Sequence, residues 1–87
     1  MKSNDPNLFR RKTLFFINLH EKSNVTIELY DENETKLLII LEKQELSKGK
    51  QEIKFTGNQL KSGMYNAKII IENTSETVTE NRIIKIK

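Results

Sequence analysis

One histidine, His20, is the only side chain in this sequence whose ordinary titration lies near neutral pH. It could in principle serve as the base that activates a neighbouring nucleophile. It stands, however, in a Leu19-His20-Glu21-Lys22 turn between two runs of strand character, where a solvated surface histidine is the expected state. Asp31, Glu32 and Glu34 offer hard oxygen donors to a cation such as Ca²⁺, but the stretch lacks the ligand spacing, the central Gly and the closing bidentate Glu of a calcium loop. It reads as an acidic hairpin turn. The sequence has no Gly-rich phosphate loop, no metal-spaced histidine pair and no carboxylate pair placed for general acid and base work. The expectation is a non-enzymatic protein without catalytic residues, metal or cofactor. Three triplets, at Asn24, Asn33 and Asn73, match the glycosylation pattern and are assigned no role.

With chemistry set aside, charge and composition bound the partners. The net charge of +3 is concentrated at the start: Lys2, Arg10, Arg11 and Lys12 face only Asp5 in residues 1–20, whereas the rest of the chain is balanced. A nucleic-acid binder spreads basic side chains over a face with aromatic residues interleaved, so no nucleic-acid partner is expected. The longest apolar runs, Leu14 to Ile17 and Leu37 to Leu41, are far short of the ~20 residues a membrane helix requires, and no membrane insertion is expected. The first run follows three basic residues but is also shorter than the roughly 7–15 residues of a signal-peptide core. Met1 is read either as a natural start, which implies a cytoplasmic protein, or as the artificial start of an excised domain, which implies the cell surface or the extracellular space. The absence of cysteine leaves the compartment open.

The elements that must carry any binding surface are strands. A chain of 87 residues has room for one domain with a thin core. Its dominant period is two: Val25, Ile27 and Leu29; Ile53 and Phe55; Tyr65, Ala67, Ile69 and Ile71; and Ile84 and Ile86 each alternate with mostly polar neighbours. The runs 13–19 and 36–42 are apolar on both faces and read as strands from their β-branched and aromatic content. Turn signals separate these runs, and no stretch has the length of a crossover helix. The expected architecture is a leader over residues 1–8 and an antiparallel β-sandwich over 9–87. Six side chains, Leu14, Phe16, Leu38, Ile40, Ile70 and Ile83, fall on the face opposite the assigned core. They form a possible interface, unless loops cover them or a register is displaced by one residue.

In order and spacing, Asp5-Pro6-Asn7, Thr13 to Leu19, NVTIELYD at 24–31, LSKGKQEIKF at 46–55, LKSGMY at 60–65 and RIIKIK at 82–87 resemble the type A C-terminal sorting domains of type IX secretion substrates from Bacteroidetes. They are also similar to the immunoglobulin-like domain of flagellar hook-capping proteins. Phe55 stands where the family often has Trp, and Glu34 stands near a position where it usually has Gly. The resemblance implies an immunoglobulin-like sandwich of about seven strands whose last strand and basic C-terminus are read by outer-membrane export machinery. Gly63, Tyr65, Ile84, Lys85, Ile86 and Lys87 are then the partner-binding residues. The alternative is a free-standing structural subunit that joins an assembly or a homo-oligomer through its apolar strand faces and edges. Both readings expect a protein partner.

Overall fold

Alternating apolar and polar residues become a strand because successive side chains on an extended backbone leave opposite faces, so one row can be buried while the other stays wet. The structure, a computed structural model, describes residues 12–56 and 60–86. It contains six strands: β1 (Lys12–Leu19), β2 (Ser23–Tyr30), β3 (Lys36–Leu46), β4 (Gly49–Thr56), β5 (Gly63–Glu72) and β6 (Thr77–Ile86). Each contains one of the six runs read from the sequence, although β3 continues past residue 42 to Leu46 and β6 begins at Thr77, well before Ile84; among the described residues there is no seventh strand and no helix. The expected leader at residues 1–8 lies outside the described residues.

The strands form two antiparallel sheets, β1 with β4 and a larger one in the order β3-β2-β5-β6. Phe15, Ile17 and Leu19 of β1 pack against Val25, Ile27 and Leu29 of β2 and Ala67 and Ile69 of β5, all buried. Each of the larger of these side chains contributes about 1.5–3 kcal/mol of transfer free energy. Ile53, Phe55, Tyr65, Ile71 and Ile84 close the periphery of this layer. The single rows assigned to the core in β2, β4, β5 and β6 are therefore the inward rows.

β3 departs from its reading. Leu38 and Ile40 pack on the core, while Leu37 and Ile39 are exposed. Eleven residues of β3 run beside the eight of β2, and the register slips three times to absorb the difference. Each slip is a bulge that resets which residues face inward, so Ile40 and Leu41, adjacent in sequence, both reach the core. The bulge nearest the end of β3 is braced from β2: the Lys43 N–H donates to Thr26 Oγ1 at 3.1 Å, and Lys43 takes a positive φ of 44°.

Two networks tie the ends of the sandwich. At one, Ser23 is buried, donates to the Glu21 carbonyl and accepts from Asn73 Nδ2, while Thr74 and Ser75 hydroxyls donate to the Glu21 carboxylate. This joins the β1–β2 turn to the β5–β6 hairpin. At the other, Asp31 Oδ1 accepts from the N–H groups of Asn33 and Thr35 and organises the β2–β3 turn. Glu34 in that turn has φ 64°, the left-handed conformation that glycine adopts most readily. The resemblance places its glycine near this position.

Candidate docking edge

The connection into β5 is where the sequence concentrates its most specific pattern. Gly63 opens the strand with φ 152° and has no atom near the place of a Cβ, so the requirement for glycine is conformational and not one of space. Two residues on, the Tyr65 ring lies half-buried against the core and its hydroxyl donates to the Lys61 carbonyl at 2.7 Å. That bond closes the loop back on itself and fixes the entry of β5. Leu60, at the start of the same segment, packs on the core.

β6 returns directly onto this corner. Gly63 pairs with Ile86, Met64 with Lys85 and Tyr65 with Ile84, so the two segments singled out from the sequence are neighbours in one ladder. Their side chains divide between two faces. Tyr65, Ile84 and Ile86 point inward, and Ile86 is 2% exposed, so their side chains belong to the core; of the three only Ile84 and Ile86 lie on the edge strand. Met64, Ile83 and Lys85 stand on the outer face and are exposed. Lys87 lies outside the described residues.

The pairing of β6 with β5 is continuous over ten positions, from Gly63–Ile86 to Glu72–Thr77, without a bulge. Its other side has no strand beside it among the described residues. Residues 77–81 are exposed, and burial rises only toward Ile86. On the outer face Asn66 Nδ2 donates to Asn81 Oδ1 at 3.3 Å across the ladder. On the inner face Arg82 Nε donates to the Glu80 carboxylate.

Beside this edge the outer face hollows into an open groove of about 550 Å³, lined by Tyr30, Met64, Asn66, Lys68, Asn81 and Ile83 with the acidic β2–β3 turn at one end. Tyr30 Oη donates to Glu28 at 2.8 Å and Lys36 Nζ approaches the same carboxylate at 3.3 Å. The hydroxyl hydrogen bond, with help from Lys36 and Lys68 and against the effect of burial, holds the Glu28 carboxyl below its ordinary value. The same bond holds the Tyr30 hydroxyl above its own. Met64 is legible in the sequence only as an outward member of an alternating row, Asn81 carries no such signal, and the groove needs strands distant in sequence.

Of the six side chains read as surplus, Leu14, Phe16 and Ile83 are exposed, Ile70 is half-buried on the outer face beside Thr26, and Leu38 and Ile40 belong to the core. His20 is exposed, and no group of three His, Cys, Asp or Glu side chains gathers as a metal site among the described residues. No helix among them is long and apolar enough to cross a membrane. No family model, no curated protein and no solved structure matches the chain.

Proposed function

We propose that this domain is a non-enzymatic protein-binding module of immunoglobulin-like type, docked on a protein partner through its last strand as a sorting domain is read by export machinery. The observation that carries the reading is the β6 edge, open among the described residues, unbroken, and register-paired along its length to the strand that the LKSGMY corner begins. A strand in this state offers a row of unpaired backbone groups that an extended segment of another protein can complete, while alternate side chains supply selectivity.

The strand order supports the immunoglobulin-like part. In variable-type domains one sheet runs C′-C-F-G and the other places B beside E. β3-β2-β5-β6 and β1-β4 follow that order if β1 is B and β4 is E. The Tyr65-to-Lys61 bond corresponds to the tyrosine corner at the start of strand F. A sandwich of about seven strands on this plan has a further position at the flank of the smaller sheet.

The export reading is tested with a reporter fused ahead of the domain in a host competent for type IX secretion. Deleting residues 82–87 should abolish export, but this also removes Ile84 and Ile86 from the core. The decisive variant is therefore Ile83→Asp, since Ile83 is 66% exposed and its replacement leaves the core intact. Export of this variant at the unaltered level would refute the reading.

A second reading, a structural subunit of a larger assembly, is favoured by a different region. Leu14 and Phe16 stand exposed on the outer face of the two-stranded sheet, where water would ordinarily select polar side chains. Leu14→Ser with Phe16→Ser should then release the domain from its assembly while leaving export unchanged. Loss of export with assembly intact would argue the reverse.

A further inference from the structure

We propose that β6 pairs edge to edge with the β6 of a second copy of this chain, antiparallel about a two-fold axis through Asn81, so that two four-stranded sheets become one of eight. The proposal rests on the reading of β6 as the docking edge and names one occupant for it. The strand is regular over its whole length and contains neither Pro nor Gly. Its exposed side chains include Val78 at 41% and Ile83 at 66%.

Symmetry restricts the registers. An axis perpendicular to the sheet carries each face onto itself, so a dimer is specified by the residue that lies on the axis, and inward side chains meet only inward ones. With Glu80 on the axis two carboxylates oppose each other, and Val78 faces Arg82. With Arg82 on the axis two guanidinium groups oppose, and Glu80 faces Ile84. With Asn81 on the axis, Glu80 of each copy faces Arg82 of the other, Val78 faces Ile84, Thr79 faces Ile83 and Thr77 faces Lys85. Asn81 meets its own copy, where an amide is both donor and acceptor.

This register alone among the three matches acid with base and apolar with apolar on the inner row, and it pairs β6 from Thr77 to Lys85. Within one copy Arg82 already holds Glu80 through Nε. The remaining guanidinium N–H groups are free to reach the carboxylate across the axis.

Sedimentation equilibrium of the full chain tests the register through charge reversal. Glu80→Arg makes both inner pairs base against base, and Arg82→Glu makes both acid against acid. Each variant alone should dimerise about tenfold more weakly than the original chain. Mixed one to one, the two variants set the two basic side chains of the first, on its inner row, against the two acidic side chains of the second, and should recover a dimer of one copy of each. The double variant E80R/R82E should likewise recover dimerisation, which separates register from misfolding. A mixture no more associated than its components, or an original dimer indifferent to both reversals, overturns the proposal. The docking reading itself stands or falls separately on export of Ile83→Asp, which leaves both charges in place.

Discussion

β3 and β6 are the two edges of the same four-stranded sheet, and they solve the problem of an edge in opposite ways. β3 is broken by three bulges, twists its backbone through a positive φ at Lys43 and exposes charged residues over much of its second half. An incoming strand would meet a ladder with no steady repeat, which is how sheets discourage unwanted pairing. β6 keeps ten consecutive pairs with β5 and no irregularity. The difference separates an irregular edge from a regular one, and it would not follow from hydrophobicity, since both edges expose large apolar side chains.

The largest effect that can sharpen this contrast lies within β6 itself. Ile86→Ala removes a side chain that is 2% exposed and should cost about 2–5 kcal/mol in urea unfolding. Ile83→Ala, three residues away and 66% exposed, should change stability by less than about 0.5 kcal/mol. Equal losses at the two sites would mean that the strand has no distinct anchored and free rows, and the docking edge would lose its basis.

On the β3 side the weak point is the brace between Thr26 and Lys43. Thr26→Val keeps the shape but leaves the Lys43 N–H without its acceptor, at a cost of about 1 kcal/mol. Amide exchange at Lys43 and its neighbours should quicken more than at β6. Unchanged exchange there would show that packing of Ile40 and Leu41, not the hydroxyl, shapes this edge.

The same contrast explains what can be read from the sequence. The inward rows of β2 and β4, and the apolar parts of those of β5 and β6, are legible because they keep a period of two, and the Gly63 and Tyr65 corner because only certain residues can build it. β3 is not, because its inward face depends on bulges set by its partner: Ile40 and Leu41 look like opposite faces until Leu41 is aligned with Ile27 and Ile39 with Glu28. The resemblance presents terminal Ile84 and Ile86 to a partner, whereas the alternation that marks them as strand also marks them as core. That β6 is an edge is a property of sheet order, which no local pattern carries.

A smaller effect concerns the turn that starts β3. Glu34 occupies a left-handed conformation that costs a residue with a Cβ about 1–2 kcal/mol. Part of that is regained with glycine, whose greater freedom in the unfolded chain offsets the rest. Glu34→Gly should therefore stabilise the protein by about 0.5–1 kcal/mol, a rise of about 2–8 °C in Tm for a domain of this size. A fall in Tm would mean that the Glu34 side chain contributes more than its backbone costs.

The smallest effect is one of pH, and it belongs to the outer face shared by both edges. Glu28 has its folded pKa lowered from an ordinary 4.5, chiefly by the hydroxyl of Tyr30 and further by Lys36, so its contribution is present above 4.5 and fades as the pH falls through the folded value. Tyr30 has its folded pKa raised from 10.0, chiefly by the hydrogen bond to Glu28, so its contribution is present below 10.0 and fades as the pH rises through the folded value. The pair thus supports the fold across the interval between and is lost at both ends. Tyr30→Phe removes the bond, and its Tm should lie below that of the original chain at pH 7 and converge on it as the pH falls below the folded value of Glu28. A difference that stays constant as the carboxylate is protonated would place the effect in packing of the ring against the groove and not in the hydrogen bond.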